Sequence, residues 1–231
     1  LVATAVLDIN QSIGTSLTVA DTASLTAGGD IVLANVGNDF GGNVTFNAVN
    51  ASFADANNLT IGGVAHGGAV ALSAGNDLDL LGITVNLGAG ALDLTAGGNL
   101  TDVAASFAGA LTLAVTGDAV LDAANDFASV AGTAANLTLR DTDDLDLAGV
   151  NIGAGAGSLD LTVGGNLTDS AANFAGALTL AVTGSAYLDE AGNDFNSVGG
   201  SAAGSTLLLT DADDLDLAGI TVAGGTTYFT V

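Results

Sequence analysis

The chain of 231 residues has no cysteine, proline, methionine or tryptophan, and lysine and arginine together contribute a single side chain. Without cysteine there are no disulfide bonds, no thiolate metal ligands and no thiol nucleophile. With only two Tyr and eight Phe, the interior has to be filled by Leu, Val, Ile and Ala. These small aliphatic side chains suit thin layers better than a broad globular core.

The charge is strongly one-sided, because 25 acidic residues against one basic residue give a formal net charge of -24. Such a surface repels phosphate groups, so we predict no nucleic-acid partner and no attachment to anionic lipid. Hydrophobic residues make up 49% of the chain. However, Asp, Asn or Gly interrupts every apolar run well before the ~18 residues that a spanning helix requires. We therefore predict no membrane insertion.

Repetition is the main feature that is present. The sequence "AGGNLTD" (96–102) returns as "VGGNLTD" (163–169), 67 positions later. A polar corner residue precedes each of a series of short alternating segments, with a mean spacing of about 23 residues, which lies in the range of solenoid repeats. The corner residues are Asp8, Asp30, Asn58, Asp77, Asn99, Asp118, Asp144, Asn166, Ser185 and Asp214.

A larger repeat lies above the single unit. Residues 92–158 and 159–227 match closely, and residues 1–91 are a looser version with one additional unit. We interpret 1–231 as a single solenoid domain built from these three large repeats. The intervals of 26 and 29 residues after Asp118 and Ser185 are longer than the mean spacing. They are predicted to be loops extruded from a coil.

The segments alternate with a period of two, which is typical of β-strands. In "ALTLAV" (110–115), Leu111 and Leu113 are predicted to point inward and Thr112 outward; in "LDL" (145–147), Leu145 and Leu147 are predicted to point inward. No segment shows the apolar spacing of a helix. The pattern predicts an all-β fold, a parallel β-helix (β-solenoid) of about ten coils. Glycine is expected to supply positive φ at the corners. A third segment of the coil carries Phe40, Phe107, Phe127, Phe174 and Phe195.

The alternation of "GNLT", "ALTLAVTG", "ANDF" and "DDLDLAG" resembles the repeats of filamentous haemagglutinin-like exoproteins, which are giant bacterial surface adhesins. The resemblance covers nearly the whole chain. It implies a right-handed parallel β-helix, exported to the bacterial cell surface or the extracellular medium, that acts as a stalk or adhesive shaft. The receptor is not specified by the sequence.

Catalytic chemistry has little support in the sequence. His66 is the only histidine and lies in the glycine-rich segment "VAHGGA", where a solvated loop position is expected. Arg140 is predicted to pair with Asp141 or another nearby carboxylate. Neither a cysteine nor a second histidine is available to assemble a nucleophile and its base. We therefore predict that the chain is not an enzyme and binds no cofactor.

Calcium binding is the alternative to a chain that binds no metal ion. Two aspartate clusters offer oxygen ligands of the right kind, although solvated aspartates at turns are the preferred interpretation. We assign no metal site from the sequence, and keep these residues as the calcium candidates: Asp141, Asp143, Asp144, Asp211, Asp213 and Asp214.

Two functions follow from the sequence. The first is a non-enzymatic structural or adhesive shaft segment of a secreted or cell-surface bacterial protein. The alternative is a self-assembling extracellular filament or matrix subunit, in which open strand edges at the coil ends recruit another copy. A calcium-binding repeat module is a lesser alternative. Ice binding ranks below these, because the outward positions that follow the corners do not form a regular threonine array. These outward positions are Val32, Thr60, Asp79, Thr101, Val120, Asp146, Thr168, Tyr187 and Asp216.

Overall fold

A computed structural model describes residues 1–85, 90–103, 106–171 and 173–231. Contacts between residues divide the chain into two compact units, Leu1–Gly117 and Asp118–Val231. We describe each unit by itself.

Unit 1 is built from short parallel strands that are hydrogen-bonded to strands of neighbouring coils. For example, β4 pairs in parallel with β1 on one side and with β7 on the other. The strands are β1 (Val2–Ala5), β2 (Ile9–Asn10), β3 (Thr18–Val19), β4 (Ala23–Ala27), β5 (Ile31–Leu33), β6 (Asp39–Phe40), β7 (Val44–Ala48), β8 (Ala51–Asp55), β9 (Leu59–Ala65), β10 (Val70–Ala74), β11 (Leu78–Val85), β12 (Ala91–Ala96), β13 (Leu100–Asp102) and β14 (Ser106–Val115).

The core of unit 1 consists of columns of aliphatic side chains that stack from coil to coil. Leu59 pairs with Leu78, and Leu78 with Leu100, and all three are fully buried. Burying a side chain of this size contributes about 1.5–3 kcal/mol, so each column stabilises the stacking of the coils. A second column contains Ile31, Ala51, Val70, Leu92 and Leu111.

Unit 2 has the same architecture with longer strands. A column of buried side chains joins Leu137, Leu159, Leu178 and Val198 in successive coils. The strands are β15 (Asp118–Ala134), β16 (Asn136–Asp141), β17 (Leu145–Val163), β18 (Leu167–Asp169), β19 (Asn173–Val182), β20 (Ala186–Leu188), β21 (Asp194–Ala202), β22 (Thr206–Thr210), β23 (Leu217–Val222) and β24 (Thr226–Thr230).

The predicted fold class is confirmed, since both units are all-β parallel solenoids, with about 11 turns in all. Leu111 and Leu113 are buried and Thr112 is exposed, as the alternation predicted, and Leu145 and Leu147 are buried as well. The right-handed sense of the coil stays a prediction. The described residues contain no helix with the length and apolarity needed to cross a bilayer.

The predicted series of corners needs correction, because each coil carries corners that belong to two different columns. Asp30 is followed in its column by Asn50 rather than Asn58, since Ile31 pairs with Ala51. Asp118 pairs with Asn136. The long intervals therefore arose from counting across two columns.

The two predicted extruded loops are accordingly wrong. Residues between Asp118 and Asp144 form β15 and β16, and residues after Ser185 form β20, β21 and β22. Ala186 pairs with Leu207, so Thr206, rather than Asp214, occupies the corner that follows Ser185. These segments fit into the solenoid because they form complete turns. Buried and exposed residues alternate in them as in the other coils.

Positive φ occurs at strand bends and at two Gly-Gly turns, at Gly68 and Gly224, but not at the repeated "GGN" corners. Gly82, Gly132 and Gly200 have φ of 67°, 113° and 102°, and each lies where the strand register shifts by an extra residue. Such bulges bend the strand and commonly place glycine in the left-handed region. Neither glycine of "AGGNLTD" has positive φ, so the prediction for those corners is wrong.

Candidate functional site

Side chains at the corners bind the backbone of the next coil. The Oδ1 atom of Asp77 accepts the backbone N–H of Asn99 at 2.8 Å. In unit 2, Asp144 Oδ1 accepts from Asn166 N at 2.6 Å, and Asn166 Oδ1 accepts from Ser185 N at 2.9 Å. A turn leaves such N–H groups outside the strand ladder, where a side-chain oxygen can accept their hydrogen bonds in place of water. The corner residues therefore satisfy the backbone where the sheets are interrupted, and we call these stacked side chains the corner ladders.

Asparagine over aspartate recurs within the corner ladders. The Asn166 Nδ2 donates to Asp144 Oδ1 at 3.1 Å, and the Asn136 Nδ2 donates to Asp118 Oδ1 at 2.6 Å. Neighbouring coils are only ~4.8 Å apart, so two stacked carboxylates would repel each other. An intervening carboxamide replaces that repulsion with a hydrogen bond to a charged acceptor.

The paired glycines before the corner residue make room for the coil below. A Cβ atom on Gly98 would overlap Asp77 Oδ1, and one on Gly97 would overlap the carbonyl oxygen of Gly75. In the second copy of the motif, a Cβ on Gly165 would overlap Asp144 Oδ1. The motif "GGN" is therefore repeated because the corner is closely packed against the preceding one.

A second recurring feature is a buried corner with the sequence Asn-Asp-Phe, which occurs three times. The asparagines Asn38, Asn125 and Asn193 are fully buried, and each donates from Nδ2 to the carbonyl oxygen of a leucine four or five residues earlier. We call each of these an Asn-Asp-Phe corner. They place amide groups in the interior without leaving the local backbone unsatisfied.

Each Asn-Asp-Phe corner is closed by a buried aspartate from the segment that follows. The phenylalanine N–H donates to Asp55 Oδ2 at 2.8 Å, to Asp141 Oδ1 at 2.5 Å and to Asp211 Oδ1 at 2.6 Å in the three corners. These aspartates are 3%, 2% and 4% exposed. They are structural acceptors, and two of them belong to the calcium candidates.

The second corner has the most perturbed carboxyl group. Burial raises the pKa of Asp141 to about 6, although the N–H groups of Phe127 and Asp143 that it accepts oppose that shift. The charges of Asp143 and Asp126 raise the pKa further. The pKa of Asp126 is itself raised, by burial first and then by the charge and hydrogen bond of Asp143. Three acidic side chains thus lie close together at this corner.

The six calcium candidates either accept backbone N–H groups or are exposed. Asp141 and Asp144 accept backbone N–H groups, Asp211 is buried, and Asp213 and Asp214 are exposed. Across the part of the chain that the structure describes, no group of three or more His, Cys, Asp or Glu side chains is arranged to hold a metal ion.

The two lone candidates for chemistry lie apart from these corners. Arg140 is exposed and Asp141 is buried, because consecutive residues of β16 point to opposite sides of the strand. Arg140 therefore points away from Asp141, and its pairing with another nearby carboxylate stays a prediction. His66 is exposed, and its Nε2 lies 3.0 Å from the Oδ1 atom of Asn47 in the neighbouring coil.

An outward column of unit 2 was only partly visible in the sequence. Asp146, Thr168 and Tyr187 occupy consecutive coils of it, as the outward series predicted. The next members are Leu208 and Tyr228. The sequence series had placed Asp216 there, because it followed the wrong corner after Ser185. Strand register was the missing signal.

Comparison with known proteins places the chain in a repeat family. It belongs to the family described as "Repeats of unknown function (DUF5649)", whose profile matches residues 1–47, 67–134 and 134–202. The second and third matches begin 67 residues apart, the same period as the two "GGNLTD" motifs. No curated protein and no solved structure matches the chain.

Proposed function

We propose that this chain is a non-enzymatic structural or adhesive shaft segment of a secreted or cell-surface bacterial protein of the filamentous haemagglutinin-like kind. The proposal rests on the observation that the regularly spaced polar side chains bind the backbone of neighbouring coils. Asp77, Asp144 and Asn166 bind backbone groups of the next coil. Side chains that would otherwise be candidates for chemistry therefore hold coils together.

The large negative net charge supports an extracellular shaft. The net charge of -24 keeps such a surface soluble by self-repulsion and disfavours contact with anionic lipid headgroups. The coil-to-coil columns of Leu, Val and Ile bury the apolar part of the composition. A segment of this kind supplies reach and spacing, while its repeats set the length.

Labelling of intact bacteria tests the location. An antibody raised against residues 1–231 is expected to label unpermeabilised cells of the source bacterium or to detect the chain in the medium. Labelling that requires lysis would contradict an extracellular shaft. A cytoplasmic protein stained only after lysis serves as the control for cell integrity.

An in-register deletion tests the spacer role. Removing residues 97–163 joins Ala96 to Gly164 and deletes one 67-residue period, so a spacer should still fold and be displayed. Removing residues 97–156 deletes 60 residues and breaks the register, so this control should fail to fold. If both deletions behave alike in circular dichroism and surface display, the spacer proposal is wrong.

The filament alternative rests on the apolar edge of unit 2. Leu217 of β23 and Phe229 of β24 extend the buried columns, yet they are 42% and 41% exposed. An exposed strand edge with apolar side chains can pair with a coil of a second copy. Sedimentation over a range of concentrations tests this alternative: F229D should abolish assembly, V103D at an exposed site of unit 1 should not, and a monomer at all concentrations would exclude the filament.

A further inference from the structure

The only two tyrosines of the chain lie on one outward column of unit 2. Tyr187 pairs with Leu208 in the next coil, and Leu208 pairs with Tyr228 in the coil after that. The neighbours of Tyr187 in the strand, Ala186 and Leu188, are fully buried, so Tyr187 points outward. We call Tyr187, Leu208 and Tyr228 the tyrosine stripe.

The tyrosine stripe presents aromatic surface at a regular spacing. Tyr187 is 37% exposed and Tyr228 is 58% exposed, so each ring has a free surface. Since parallel strands lie ~4.8 Å apart, two coils separate the tyrosine backbones by about 10 Å. The residue between them, Leu208, is half-buried and apolar. The outward face therefore carries two tyrosine rings with the apolar side chain of Leu208 between them.

Threonines border the tyrosine stripe on both sides. In β22, Thr206 and Thr210 lie two residues before and after Leu208; in β24, Thr226 and Thr230 lie in the same places around Tyr228. Because side chains alternate along a strand, these threonines share the outward face with the stripe. Each hydroxyl group can donate one hydrogen bond and accept two.

A shallow groove of about 370 Å³ continues the same face. It is lined by Asp144, Asp146, Asn166, Thr168 and Tyr187, among others. The Thr168 hydroxyl donates to Asp146 Oδ1 at 3.1 Å, and the Ser170 hydroxyl donates to Asp146 Oδ2 at 2.8 Å. The carboxylate oxygens keep further lone pairs for a donor from solution. The groove therefore offers acceptors beside an aromatic ring.

From this arrangement we propose that the tyrosine stripe and the adjoining groove bind a linear, neutral, β-linked polysaccharide. The apolar C–H face of a sugar ring packs on an aromatic ring, while its hydroxyl groups donate to carboxylates and exchange hydrogen bonds with threonines. In an extended β-linked chain every second ring presents the same face, which fits aromatic rings placed on alternate coils. The net charge of -24 repels acidic polysaccharides. This binding activity goes beyond the shaft role and does not rest on it.

Tyrosine fluorescence gives a direct test, because the chain has no tryptophan and only these two tyrosines. The full chain is titrated with cellohexaose and, separately, with chitohexaose, which are neutral and β-linked. We expect a saturable change in emission with at least one of them. Hexagalacturonate and hexalysine, titrated at low and high salt, serve as the anionic and cationic comparison ligands.

Variants test whether binding depends on the tyrosine stripe. Their affinities are measured by calorimetry, so the loss of a fluorescent tyrosine does not affect the measurement. Y187A and Y228A should each raise the Kd about fivefold, as expected for loss of one aromatic contact worth about 1 kcal/mol. Y187F and Y228F keep the ring and should bind within about twofold of the unmodified chain. V103A, at an exposed position of unit 1, should change nothing.

Three results would overturn the proposal. One is the absence of saturable binding to either neutral oligosaccharide. Another is unchanged affinity in Y187A and Y228A, provided that circular dichroism shows both variants folded. The third is binding of hexalysine but neither sugar, with loss at high salt, which would make the groove a docking site for cationic groups.

Discussion

At the residue scale, glycine is used for two different physical reasons in this chain. Gly97 and Gly98 leave space for the corner of the preceding coil, whereas Gly132 and Gly200 adopt positive φ at bulges. The first use is a matter of close approach and the second of backbone conformation. Both repeat with the coil, which explains why so glycine-rich a chain folds into regular structure.

We expect G98A to destabilise the protein by about 2 kcal/mol, in the range for overpacking of a closely packed site. The added methyl group would overlap Asp77 Oδ1 and force the corner ladder apart. Chemical denaturation monitored by circular dichroism measures the change. G37A is the matched control, since its nearest contact would be an ordinary 3.7 Å to Ser16 Cβ. Equal stability of the two variants would contradict the packing explanation.

Asparagine in the corner ladders is expected to matter through its charge as well as its hydrogen bonds. N166D should cost about 1 kcal/mol, because a carboxylate would replace the amide that donates to Asp144. High salt should restore part of the loss by screening the repulsion. N196D, at an exposed position, adds the same charge away from the corner ladder. A loss of Tm in N196D as large as in N166D would refute the specific role of the corner.

At the element scale, alternation along a strand was readable from the sequence, but the assignment of strands to columns was not. The burial of Leu111 and Leu113 follows from period-two patterning alone. Whether Asp30 lies beneath Asn50 or Asn58 depends on which strands pair across some 20 residues, and both corners have acceptable chemistry. The tyrosine stripe was missed for the same reason, since Tyr228 joins Tyr187 only through the register of β22 and β24.

The Asn-Asp-Phe corner at residues 125–127, which Asp141 closes, makes stability depend on pH. The pKa of Asp141 is raised to about 6, above the ~3.9 of an unfolded chain. Between these values the folded state binds a proton that the unfolded state does not, so the contribution of this group to the free energy of unfolding falls as pH rises from about 4 to 6. In D141N that part of the pH dependence should disappear.

Thermal unfolding at pH 4.5 and pH 7 measures this effect. The drop in Tm between the two pH values should be smaller in D141N than in the unmodified chain. D122N removes an exposed carboxylate from the neighbouring strand β15 and should keep the original drop. If D141N and D122N show the same pH profile, burial of Asp141 is not the origin of the effect.

At the scale of the whole molecule, the net charge of -24 opposes the folded state by self-repulsion, and the columns of aliphatic side chains offset it. The sequence predicted the solenoid class, because composition and period do not depend on the register. The function of the surface was less accessible to sequence reasoning, since it depends on which side chains share a face. Membership of the family of repeats agrees with the repeat period, but the family description names no ligand and no reaction.

Screening by salt should therefore raise the Tm, and divalent cations should act mainly as screening ions. At equal ionic strength, CaCl2 and MgCl2 are expected to raise the Tm to the same extent. The candidates Asp141, Asp143, Asp144, Asp211, Asp213 and Asp214 are not gathered into a site. A larger shift with calcium that is lost in D144N or D214N would instead establish a specific calcium site.

The stacking register can be measured directly with engineered cysteines, because the chain has none of its own. Asp93 and Thr112 are paired, exposed neighbours in adjacent coils, at a separation of ~4.8 Å that a disulfide can span. D93C/T112C should cross-link readily under mild oxidation, whereas D93C/A110C, displaced by two residues, should not. Faster cross-linking of the displaced pair, or equal rates for both, would contradict the parallel coil-on-coil stacking.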